Sequence, residues 1–156
     1  MFRKEIRDEI DILASPEDVW KALTDFDAFR DWNPFIRPVV GEAVEGVRLR
    51  VQMRPPGGRA VAFRPTVTKV VPNRELRWKG RLWISGLFDG EHIFEIEPQG
   101  AERVRFVQRE AFSGLLVPFM AKSIDQALSG FEEMNMALKE RVEAGGEEAN
   151  GSRSPQ

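Results

Sequence analysis

The chain carries one histidine and no cysteine, so acid–base chemistry near neutral pH centres on His92, the side-chain type that titrates closest to neutrality. From Phe88 to Ile96 the residues alternate with period two. That places Phe88, His92, Phe94 and Ile96 on one strand face and Asp89, Glu91 and Glu95 on the other. A titratable ring is thereby aimed at the dry side of a sheet. The strand from Arg103 to Phe112 puts Val104, Phe106, Gln108, Glu110 and Phe112 on one face, so two polar residues sit in an apolar row. A hairpin through Gln99-Gly100 sets His92 opposite Gln108 or Glu110, depending on turn register, with Trp78 of the preceding strand beside it.

An imidazole, a carboxyl and an amide among Trp78, Phe88, Phe94, Phe106 and Phe112 admit three uses. His92 and Glu110 orient a ligand's polar group, or they act as acid and base in a dehydration or aldol-type cyclisation. Otherwise they are a satisfied structural pair. A buried carboxylate requires a partner or a proton, so Glu110 is expected to contact His92, an arginine or water.

Other chemistries are poorly served. Without cysteine there is no disulfide, no thiolate catalysis and no usual zinc site, and a lone histidine argues against a metal centre, so neither metal nor cofactor is expected. Ser85-Gly86 and Ser113-Gly114 lack the context of a nucleophile elbow. The 23 Lys plus Arg nearly balance the 25 Asp plus Glu, for a formal charge of -2, which is not the footprint of a nucleic-acid binder. Met1-Phe2-Arg3-Lys4-Glu5 has no apolar secretory run, and no later stretch reaches membrane-spanning length. The expectation is a cytoplasmic protein without stable membrane insertion, a monomer or weak homodimer.

The elements that position these residues can be read in order. Phe2 to Leu13 alternates as a strand with Phe2, Ile6, Ile10 and Ile12 inward, interrupted by Lys4 and Asp8. Asp8 either joins the polar cluster or, with Lys4, marks the wet end of the sheet, the reading preferred on sequence. Ser15-Pro16-Glu17-Asp18 is a helix start. A second short helix over Asp27 to Asp31 stops before Trp32-Asn33-Pro34. Strands follow over Val47 to Met53, Ala60 to Val71 and Leu76 to Ile84, the last joined to the histidine strand through Ser85-Gly86.

Pro55-Pro56-Gly57-Gly58-Arg59 is a plain hairpin loop or a gate over a pocket. The outer faces form alternating rows: Arg77, Lys79 and Arg81 beside Asp89, Glu91, Glu95 and Glu97, beside Arg103, Arg105 and Arg109. Trp83 and Leu87 are expected to face outward. From about Pro118 the spacing of Met120, Ile124, Ala127, Leu128, Phe131, Met134, Leu138 and Val142 gives one long amphipathic helix. A single domain over 1–144 and a disordered tail over 145–156 complete the chain of 156 residues.

Three stretches, Ala14-Ser15-Pro16-Glu17-Asp18-Val19-Trp20, Leu23-Thr24-Asp25-Phe26 and Trp32-Asn33-Pro34-Phe35, resemble the opening of bacterial polyketide cyclase/dehydrase-like members of the START-like (SRPBCC) superfamily. Leu76-Arg77-Trp78-Lys79-Gly80 and Glu110-Ala111-Phe112-Ser113-Gly114-Leu115 resemble later segments, so the likeness covers about residues 2 to 143. It implies the α+β helix-grip fold, in which a curved antiparallel sheet of about six or seven strands wraps a long C-terminal helix, with two short helices after the first strand. It also implies an apolar cavity between sheet and helix.

Trp32 and Phe35 then fall in cavity-closing segments, and Phe119, Ile124, Phe131 and Met134 form the helix wall, joining Trp78, Phe88, His92, Phe94, Phe106, Gln108, Glu110 and Phe112 as ligand-contact candidates. Fold does not fix function. The first reading is binding of a small hydrophobic ligand (lipid, polyketide-like or aromatic) with a polar end. The alternatives are a cyclase/dehydratase using His92 and Glu110, and a protein-interaction or chaperone-accessory module presenting an apolar patch around Trp83 and Leu87.

Overall fold

The computed structural model describes residues 2–82 and 84–151. The opening alternation is realised as β1 (Phe2–Ile12), which buries Ile6 and Ile12. Ser15 ends the strand region and starts α1 (Pro16–Thr24): its Oγ accepts from the Asp18 amide at 3.2 Å, and Pro16 occupies the first turn, where its missing N–H costs nothing. Val19 and Leu23, one turn apart, are fully buried. A 3-10 turn, Phe26–Ala28, leads into α2 (Phe29–Trp32), which ends at Asn33 ahead of Pro34. Asn33 is buried, and its Oδ1 accepts from the amides of Phe35 (3.0 Å) and Ile36 (2.9 Å), turning the chain into the next strand.

The remaining strands are β2 (Ile36–Val40), β3 (Arg50–Met53), β4 (Val61–Phe63), β5 (Thr66–Val71), β6 (Glu75–Leu82), β7 (Phe88–Gly100) and β8 (Arg103–Gly114). Among the described residues they form a five-stranded antiparallel sheet in the order β1-β8-β7-β6-β5 and a three-stranded sheet, β2-β3-β4. The stretch over Ala60 to Val71 is thus two strands rather than one. Pro65, which has no amide hydrogen to give a ladder, falls at the break where the chain passes from one sheet to the other. The Arg48–Thr66 bridge, with Leu49 N to Pro65 O (2.8 Å) and Val67 N to Val47 O (2.9 Å), ties the two sheets together.

After a 3-10 turn, Val117–Phe119, the helical spacing becomes α3 (Ala121–Gly151), with Ile124, Ala127, Phe131, Met134, Leu138 and Val142 buried along one stripe. The sheets curve around this helix, with α1 and α2 at one side, and the core lies between: an α+β helix-grip fold. The helix runs on to Gly151, into the stretch 145–156 expected as a disordered tail, of which 152–156 lie outside the described residues.

On the convex face Arg77 bonds Glu75 (2.8 Å) and Glu91 (3.1 Å), Arg109 bonds Glu95 (2.5 Å), and Ile93 and Val107 are buried beneath them. Within the alternating charge rows Arg77–Glu91 and Arg109–Glu95 are thus cross-strand ion pairs and Arg77–Glu75 is a pair within β6, each worth a few tenths of a kcal/mol up to about 1. Leu87, expected to face outward, is half-buried in the turn between β6 and β7, and Trp83 lies outside the described residues.

Candidate functional site

The β7–β8 register pairs His92 with Glu110, and β6–β7 pairs His92 with Trp78. Both neighbours expected from the hairpin are used: Glu110 stands directly opposite, and Gln108 is reached on the diagonal, its Oε1 lying 2.8 Å from His92 Nε2. The network then leaves the sheet. Gln108 Nε2 donates to Asn135 Oδ1 on α3 (2.8 Å), and Asn135 Nδ2 donates to Asp8 Oδ2 on β1 (2.8 Å). Asp8, paired in register with Gln108, therefore joins the polar cluster instead of marking only a wet sheet end. Gln108 and Asn135 are fully buried and His92 is 1% exposed.

The imidazole is enclosed by rings: Phe94 stacks on it at 4.5 Å between centroids, Phe131 lies at 5.0 Å and Trp78 at 5.4 Å. Burial in this cage pushes the His92 pKa down to about 4, against the hydrogen bond to Gln108, which raises it. Burial likewise pushes Glu110 up to about 8. Glu110 Oε2 lies 3.5 Å from His92 Nδ1. At neutral pH this contact joins two predominantly uncharged groups and is not a salt bridge.

Between the sheets and α3 lies a cavity of about 630 Å³, within the range typical of small-molecule sites. Of the ligand-contact candidates, Phe35, Trp78, Phe88, Glu110 and Phe112 line it, and Phe88 and Phe112 stack at 5.2 Å on its floor. His92, Gln108, Phe94, Phe106, Ile124, Phe131 and Met134 are buried behind the wall, and half-buried Trp32 packs edge-on against Phe29. Phe119 is corrected outright: it ends the 3-10 turn before α3 and is 81% exposed. The helix wall is instead Lys122, Ser123, Gln126 and Ala127, with Met120 just ahead of α3.

The cavity contains further residues that sequence reasoning missed. Gly80 and Gly90, register partners on β6 and β7, leave the floor bare, and a side chain on Gly90 would overlap Glu110 Oε1. The glycine is what allows the carboxyl to lie over β7. Met53 and Phe63 come from the smaller sheet. Pro55, Gly57, Gly58 and Arg59 also line the cavity, and Gln126 Nε2 donates to Gly57 O at 3.3 Å. The turn-rich loop is therefore part of the cavity wall and rests on α3.

A helix grip holding a cavity with a buried carboxyl–imidazole contact defines a START-like architecture whose interior has room for a small molecule. The chain belongs to the polyketide cyclase/dehydrase and lipid transport family, whose profile matches residues 3–143. No curated protein matches it in sequence. Among solved structures it is similar to the Zhui aromatase/cyclase from Streptomyces sp. R1128 (17% identity, 91% of this chain and 94% of that one, TM-score 0.72). It is also similar to a START superfamily protein from Mycobacterium smegmatis (21%, 90% and 97%, 0.67). A third is norcoclaurine synthase from Thalictrum flavum in complex with dopamine and hydroxybenzaldehyde (14%, 90% and 87%, 0.69). At these identities the likeness is one of fold.

Proposed function

We propose that the cavity binds a small, largely apolar polyketide-like or aromatic molecule and that the protein acts on it as a cyclase or dehydratase. In this reading Glu110 meets the substrate and His92 is its proton partner. The observation that carries it is Glu110, the one carboxyl among the described residues of the cavity wall, held largely uncharged by burial and in contact with the only imidazole in the chain. The family match and the occurrence of the same fold in an aromatase/cyclase and in norcoclaurine synthase support it.

A dehydration would proceed in two balanced stages. Glu110 Oε1 takes the proton next to the substrate carbonyl while the proton on Oε2 passes to His92 Nδ1, leaving an enolate and an imidazolium. The proton on Nδ1 then returns to Oε2 as Oε1 delivers its proton to the departing hydroxyl, and the C–O bond breaks to release water. Ring closure uses the first stage, with the enolate carbon attacking a second carbonyl and the proton returned to its oxygen. General acid–base catalysis of this kind contributes about 10²–10⁴-fold.

A second reading, binding without turnover, is favoured by one observation: His92 does not line the cavity and reaches a ligand only through Glu110. Native mass spectrometry against a panel of aromatic β-hydroxy ketones and linear poly-β-ketones, followed by product analysis, separates the two. Loss of water or ring closure by wild type, slowed about 10²-fold or more in Glu110→Gln with binding retained, is the expected result. Binding with no conversion of any panel member leaves the carrier reading, and absence of binding overturns both.

A further inference from the structure

The polar groups behind the cavity form a directed chain, and its direction reaches the cavity wall. The Asp8 carboxylate only accepts, so Asn135 turns Nδ2 toward it (2.8 Å) and Oδ1 away. Gln108 must then give Nε2 to Asn135 Oδ1 (2.8 Å) and turn Oε1 toward His92 Nε2 (2.8 Å). An amide oxygen cannot donate, so Nε2 carries the imidazole hydrogen, and neutral His92 is left with a lone pair at Nδ1. That lone pair lies 3.5 Å from Glu110 Oε2; no hydrogen bond is formed at this separation, but neither buried atom has another partner among the described residues, so we assign the carboxyl proton to Oε2, from which it can close on Nδ1. Oε1, lying over Gly90 in the cavity floor, is then the carbonyl-like oxygen and only accepts.

We infer that the cavity recognises a hydrogen-bond donor, a phenolic or enolic hydroxyl, at Glu110 Oε1, and that Asp8 and Asn135 are positioning residues that set this polarity through Gln108 and His92. The two amides interrupt any proton path to Asp8, so the chain orients the imidazole and does not conduct. The inference rests on the reading that the cavity takes a small apolar molecule, and it is independent of turnover.

Three naphthalenes of nearly equal shape test it on the full chain by calorimetry: 2-naphthol, 2-methoxynaphthalene and 2-acetonaphthone, of which only the first donates. Wild type is expected to bind 2-naphthol about tenfold more tightly than the other two, the worth of one hydrogen bond. Glu110→Gln keeps the preference, because its amide N–H can face Nδ1 and its carbonyl the cavity. Glu110→Leu loses it.

Nitrogen-15 NMR of histidine-labelled protein reads the tautomer directly, since the chain has one imidazole. Wild type should show hydrogen on Nε2 and none on Nδ1 at neutral pH. Asn135→Leu, checked for folding by circular dichroism, should give mixed tautomers and a weakened 2-naphthol preference. Hydrogen on Nδ1 in wild type, or equal binding of the three naphthalenes, overturns the inference alone. Failure of all three to bind overturns the cavity reading with it.

Discussion

Glu110 and His92 act on stability in opposite senses as pH changes. Glu110, raised from 4.5 to about 8, keeps in the folded state a proton that the unfolded chain has released, so stability falls as pH rises between those values. His92, lowered from 6.5 to about 4, refuses a proton that the unfolded chain takes up, so stability rises with pH over that window. The two effects offset each other between 4.5 and 6.5 and leave a net loss from 6.5 to 8. At about 1.4 kcal/mol per proton per pH unit the loss amounts to about 2 kcal/mol. Urea denaturation across this range should show it in wild type and not in Glu110→Gln, whose amide does not titrate. An equal alkaline loss in both would mean that Glu110 is not the titrating group.

The residues of this pair were legible because period two in β7 and β8 puts polar side chains visibly out of place among apolar ones. Asn135 was not, although Leu128, Phe131, Asn135, Leu138 and Val142 follow helical spacing and the asparagine interrupts that row. The eye follows Met134, one position earlier and equally buried. Gly90 was illegible for another reason: a glycine in a strand can mark a bulge, a bend or a close approach, and only the position of Glu110 shows which.

At the level of elements, α3 packs closely at Gly130, where a side chain would run into the ring of Phe35. Phe35 is fully buried, lines the cavity and packs edge-on against Phe131 at 5.8 Å. On helix propensity alone Gly130→Ala would stabilise by about 1 kcal/mol. Against that stands overpacking of a fixed aromatic ring, which costs about 1–3 kcal/mol. The expected outcome is a net loss of up to about 2 kcal/mol in urea denaturation, together with weakened 2-naphthol binding. A stabilised variant with unchanged binding would show that Phe35 yields freely and does not fix the cavity wall.

Ser15→Ala offers a contrast at the element scale. It removes one cap acceptor from α1, none of whose residues lines the cavity, and should cost about 1 kcal/mol without altering ligand affinity. That cap and the long helix were readable because Ser-Pro and the spacing of apolar residues are local signals. β2 was not, since five residues containing Pro38 become a strand only against β3, a partner the local sequence does not name.

Across the whole molecule the cavity is bounded by parts of unequal cohesion. The five-stranded sheet pairs β1, β8 and β7 over eleven or more residues each, whereas β2, β3 and β4 have five, four and three residues. The smaller sheet is tied to the larger by the Arg48–Thr66 bridge and its neighbouring bonds, and its β3–β4 loop rests on α3 through Gln126 and Gly57. Short strands with few partners open at lower free energy than the centre of a long ladder. Hydrogen exchange in the free protein should therefore be fastest over β4 and the loop and slowest over β7 and β8. Met53, Val61 and Phe63 line the cavity from this sheet, so a bound molecule couples the weak wall to the strong one and stabilises it by mass action. Saturating 2-naphthol should slow exchange over residues 51–63 severalfold more than over β7 and β8. Uniform slowing throughout the chain would instead mean that every opening of the small sheet is global unfolding, and that the cavity gains its ligand without local release of that wall.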